Sequence, residues 1–130
     1  MNNHDLNREK LINLFDVSLI PEKFINEIDK GKIEIVCISH NNNIVSKVAE
    51  LSIIYPDMYR KIFVVYDHGY CIKFDEIAIN EFMDKDSRDK EICRLYKEAG
   101  LYQVFIGHLF KISQPSVSLI LKKKRMVKHK

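Results

Sequence analysis

Two sets of side chains in this 130-residue chain have the types and the spacing to do chemistry. The first is Cys37-Ile-Ser-His40 together with His68-Gly-Tyr-Cys71, mirror-image Cys/His pairs at the ends of two predicted strands. Thiolate and imidazole are the donors of tetrahedral zinc sites and both spacings are admissible, but the paired Cys-x-x-Cys knuckle is missing. Two small cysteines on strands and two histidines in polar turns account for the same residues without a metal. No metal and no cofactor is therefore expected, with zinc on Cys37, His40, His68 and Cys71 as the alternative. The second set is Gln114, Ser118 and Lys122, at i, i+4 and i+8, running into Lys123, Lys124 and Arg125. An amide, a hydroxyl and an ammonium group along one helical face suit base edges and phosphates. Ser113 and Ser116 add hydroxyls, and the cation run offers affinity for a polyanion without reading its sequence.

Charge is distributed to match. Residues 1–86 hold ten Lys/Arg and fifteen Asp/Glu, a net of −5, whereas residues 87–130 hold eleven and three, a net of +8. No acidic residue follows Glu98. A basic segment of this kind is expected to meet nucleic acid, the commonest polyanion. No apolar run approaches the roughly 20 residues a membrane span needs. The N-terminus lacks a signal-peptide pattern. Three scattered cysteines do not make a disulfide framework, so a cytoplasmic location is expected.

The elements that must position these groups fall into two parts. Leu6, Leu11, Leu14 and Phe15 have near-helical spacing, and Pro21 and Gly31 bracket a second helix. "KIEIVCIS" is short and β-branched, a strand. "IVSKVAELSIIY" predicts a helix with Val45, Val48, Leu51 and Ile54 inward, ended by Pro56. "RKIFVVY" and "YCIKF" flank a glycine turn as a hairpin, and "DEIAINEFM" predicts a brief helix. The expected fold class is α+β: a small mixed N-terminal domain over residues 1–83, with helices and about three short strands, which dimerises or senses a signal. A C-terminal three-helix domain follows over residues 84–130, ending in a basic tail.

Its first helix is predicted from Ser87 as N-cap to Gly100 as stop, with Ile92, Leu95, Tyr96 and Ala99 inward. "QVFIGHLF" is the second, and residues 111–113 leave room only for a tight turn. Ser113 then caps the third helix, and Pro115 falls in its first turn, where a missing N–H costs nothing. Val117, Ile120 and Leu121 form its inner face.

The stretch "QVFIGHLFKISQPSVSLIL" resembles the helix-turn-helix of Cro, phage repressors and related bacterial regulators. The resemblance covers about residues 87–124. It implies that Ile106, Phe110, Ile112, Val117 and Ile120 are buried and that Gly107 is the small residue where two helices cross. It also implies that Gln103, Gln114, Pro115, Ser118, Leu119 and Lys122 face DNA. One departure is Lys111, where the family often has glycine. The implied function is a sequence-specific, double-stranded-DNA-binding transcriptional regulator, a homodimer and not an enzyme. Gln114 is suited to an adenine edge and Leu119 to a thymine methyl. The alternative is a protein-interaction adaptor or a small recombinase-like protein using the same unit, although no phosphate loop, nucleophile elbow or HExxH is present. Val104, Phe105 and Leu109 form an apolar stripe on the second helix, a candidate interface with the N-terminal domain or a partner subunit.

Overall fold

Asn7 organises the first half of the chain. In the computed structural model, which describes residues 3–39 and 47–128 (side chains over 7–39 and 47–124), this side chain is fully buried. It donates to the Ile28 and Gly31 carbonyls at 2.8 Å each and accepts from the Ile33 N–H at 3.0 Å. One amide thus ties α1 (Asn3–Leu14) to the end of α2 (Glu22–Asp29) and to the start of β1 (Lys32–Ser39). Gly31 has no room for a side chain there, since a Cβ would lie 2.6 Å from the Ile54 carbonyl oxygen.

Four strands follow as an antiparallel meander in the order β1-β2-β3-β4, with β2 Lys47–Ile54, β3 Arg60–Asp67 and β4 Ile72–Ile77. Ala49, Leu51, Ile53, Phe63 and Val65 point to one face and form a core with Leu11, Phe15, Phe24 and Ile28 of the helical segment. Phe24 meets Phe63 edge-on at 5.4 Å, and Lys61 of β3 donates to Glu27 of α2 at 2.6 Å. Val48, Ser52, Ile62 and Val64, on the other face, are buried as well.

This corrects the expected N-terminal layout of about three short strands. The predicted helix over "IVSKVAELSIIY" is the central strand β2, and Val45 lies outside the described residues. Val48, Leu51 and Ile54 do fall at i, i+3 and i+6, but Val48–Ile53 is buried without a break. A strand covered on both faces loses its two-residue alternation, so its apolar run reads equally well as a helix. The β-branched Val48, Ile53 and Ile54 suit the pleated position between β1 and β3. The brief helix expected in "DEIAINEFM" is also absent: residues 75–77 finish β4 and residues 78–83 carry no helix.

Residues up to Ile77 form one compact unit and those from Ala78 form a second. The second holds α3 (Lys85–Lys97), α4 (Gln103–Phe110) and α5 (Gln114–Lys128). Among the described residues no single helix is long and apolar enough to cross a membrane.

Candidate nucleic-acid interface

The unit is built around α3. Asp84, not Ser87, is its N-cap: Asp84 Oδ1 accepts from the Ser87 N–H at 2.8 Å, and the Ser87 hydroxyl reaches back to the Asp84 N–H at 3.2 Å. This reciprocal box starts the helix three residues before the predicted cap. Glu91 is buried on its inner side and is held by Arg94 at 2.6 and 2.7 Å and by the Asn80 N–H at 2.5 Å. Burial pushes the Glu91 carboxyl up, but these hydrogen bonds and the Arg94 charge outweigh it and leave the carboxyl below the usual glutamate range. Arg94 also donates to the Ala78 carbonyl at 2.7 Å, so the cluster fastens the segment entering the unit. Gly100, at φ +72°, ends α3 and lets the Leu101 N–H return to the Leu95 carbonyl at 3.2 Å.

Between α4 and α5 the chain turns in three residues, and the two helix axes bend by 104°. Lys111 makes the turn in the left-handed region, φ 59° and ψ 43°. The Ile112 N–H then returns to the Gly107 carbonyl at 2.9 Å. Ser113 caps α5: its hydroxyl accepts from the Ser116 N–H at 3.2 Å and lies 2.8 Å from the Ser116 hydroxyl. The first intrahelical bond runs from the Val117 N–H to the Ser113 carbonyl, so Pro115 precedes any position that needs a donor.

The faces of α5 follow from this start. Val117 and Leu121 are buried and Ile120 is half-buried, whereas Gln114, Pro115, Ser118, Lys122 and Lys123 are exposed and Leu119 is 52% exposed. Ile106 is buried, and Phe110 and Ile112 are half-buried. Ser113 and Ser116 are engaged in the cap. Lys124 turns from the open face and donates to Asp86 at 2.9 Å, clasping α5 to the first turn of α3. The side chain of Arg125 lies outside the described residues. Of the apolar stripe on α4, Phe105 and Leu109 are buried and only Val104 stays open, at 45%.

A groove runs along each flank of α5. One, of about 190 Å³, is lined by Tyr96 and Lys97 of α3, Gln103 of α4, and Ser118, Leu121 and Lys122 of α5. The other, of about 260 Å³, includes Lys85 and Arg88 from the start of α3, and Ser116, Leu119 and Lys123 of α5. The first brings together Gln103, Ser118 and Lys122, three of the residues that the resemblance assigns to the DNA-facing side. It adds two residues that sequence reasoning missed, Tyr96 and Lys97. Tyr96 fits the inner stripe of α3 by spacing, yet it is 39% exposed. Its phenol gives it a reason to meet water that periodicity alone does not register. Among the described residues, Lys97, Lys111, Lys122 and Lys123 have no carboxylate partner, while Asp86, Asp89 and Glu91 are engaged by Lys90 and Lys124, Arg88, and Arg94. These three acids are thus neutralised within the unit, and the cations beside α5 remain open.

The Cys/His quartet is not assembled. Cys37 is on β1 and Cys71 enters β4, the two opposite edges of the sheet. Three strand spacings separate those edges, about 14 Å, whereas thiolates sharing one zinc lie within about 4.6 Å. His68 is in the β3–β4 turn, His40 lies outside the described residues, and no metal-holding group of His, Cys, Asp and Glu occurs among the described residues. No protein-family model, curated protein or solved structure matches the chain.

Proposed function

We propose that the unit from Ala78 onward binds double-stranded DNA, laying α5 in the major groove as the recognition helix of a helix-turn-helix. The chain then serves as a cytoplasmic, homodimeric transcriptional regulator of phage or bacterial type. The observation that carries the reading is the open face of α5, with Gln114, Ser118 and Lys122 in a row and an unpaired cation on each flank, Lys97 and Lys123. A helix seated in a groove about 12 Å wide has a phosphate backbone on either side, which is where those cations stand. The bend of 104° across a three-residue turn supports the same reading, since paired DNA-binding helices cross at about 90–120°. Gln103 and Tyr96 join Lys97 as candidates for one backbone, and Lys85 and Arg88 join Lys123 for the other.

The reading assigns binding and no chemical step. Selection of bound duplexes from a random pool, followed by affinity measurements over a salt series, tests it. Enrichment of one sequence, with affinity falling steeply as salt rises, is expected. Equal retention of all duplexes and of a neutral surface at moderate salt overturns it, and partner capture that is insensitive to salt but lost with Leu119→Ser points to a protein-docking unit.

A further inference from the structure

The sheet has two edges, and they are defended unequally. β4 carries Lys73, Asp75 and Glu76, charges of the kind that keep an edge from pairing with another chain. β1 is defended only at its start. Lys32 and Glu34 lie there, and the Ile33 N–H and C=O are taken by Asn7 at 3.0 Å and by Lys10 at 2.9 Å. A register irregularity between Ile33 and Ile35 then resets the ladder. From Ile35 to Ser39 the strand has no charged residue, and among the described residues no strand pairs with its outer edge.

Exposed apolar surface gathers at this edge. Val36 is opposite Leu51 and Ile38 is opposite Ala49, so both share the helix-covered face, but Ile38 is 43% exposed. Beside Val36 a shallow, mainly apolar groove of about 250 Å³ opens between β1 and α1, lined by Lys10, Asn13, Leu14 and Val36.

We infer that β1 pairs antiparallel with β1 of a second copy about a two-fold axis at Cys37, seating Ile38 of each copy in the groove beside Val36 of the other. The occupant follows from register. With Cys37 opposite Cys37, Val36 stands opposite the partner's Ile38 and Ile35 opposite the partner's Ser39, with no charge in the ladder. Ile38, the apolar side chain left exposed, then meets the apolar groove left open. The two sheets become one of eight strands, and the core of each copy continues into the other. The inference supplies a surface for the homodimer proposed above and stands on the first unit alone, independent of what the second unit binds.

The full-length protein carries its own reporter, because residues opposite one another in an antiparallel pair have Cα atoms about 4.5–5.5 Å apart, within disulfide range. Copper phenanthroline in air, which takes two electrons and two protons from a pair of thiols, is expected to give a covalent dimer that Cys37→Ser abolishes. Sedimentation is expected to show a reversible dimer, and Ile38→Lys to raise its dissociation constant at least about tenfold. A monomer at all concentrations, cross-links through Cys71 or Cys93 alone, or an unchanged dimer in Ile38→Lys overturns the inference. Should Ile38→Lys fail to fold, the cross-link in the native sequence decides. Duplex binding is scored apart: a monomer that binds DNA sinks the pairing alone, and a Cys37-linked dimer indifferent to DNA sinks the DNA reading alone.

Discussion

Gly107 lies against the carbonyl of Ile112 so closely that a methyl group on its Cα would stand 2.8 Å from that oxygen. The obstacle is backbone, not a flexible side chain, so α4 and α5 can approach only because residue 107 has no Cβ. Gly107→Ala is expected to destabilise the protein, an overpacked contact usually costing about 1–3 kcal/mol. The gain in helix propensity, about 1 kcal/mol, offsets only part of a backbone clash at the upper end of that range, leaving a net loss of up to about 2 kcal/mol. Urea unfolding of the two proteins measures the difference, and equal midpoints would show that the turn yields freely.

Lys111 makes the turn in a left-handed conformation, which costs a non-glycine residue roughly 1–2 kcal/mol. Lys111→Gly removes that strain and also loosens the unfolded chain, so a net stabilisation of about 0.5–1 kcal/mol is expected. A raised thermal midpoint checks it. Duplex affinity in the same variant reports separately whether the exposed ammonium contacts a phosphate.

Glu91 makes stability depend on pH with a definite sign. Its folded carboxyl lies below the ordinary value of 4.5, so its contribution is full above that value and is lost as pH falls through the folded one. Glu91→Gln keeps the shape but not the charge on which Arg94 depends. The variant is expected to be less stable by about 2 kcal/mol at neutral pH. The gap should close as pH falls below the ordinary value, which chemical unfolding at stepped pH can follow. A gap that stays constant through acid would assign the effect to packing.

On the DNA face, Gln114→Ala is expected to relax preference at one base position per half-site, costing on the order of 1–3 kcal/mol. Lys122→Ala should instead weaken all duplexes alike and lower the salt slope by about one. Competition among single-base variants separates the two. A Gln114→Ala protein with unchanged preference would remove that amide from the reading face.

Several features are legible in the chain because their causes lie within a few residues. Ser113 caps α5 with Pro115 in its first turn, and the inward row of Val117, Ile120 and Leu121 follows from helix period alone. The β3–β4 hairpin likewise follows from two short strand-forming runs around the turn at Gly69, which sits at φ +89°. The gathering of positive charge after Glu98 needs no structure to be seen. Tertiary structure decided the rest, where several local answers have similar energy. β2 is a strand because β1 and β3 hydrogen-bond to it from both sides, and no window of its own sequence holds that information. Asp86 draws Lys124 out of a run of like cations, across 38 positions of chain. Cys37 and Cys71 end at opposite edges because strand order, not spacing along the chain, sets which side chains can share an ion.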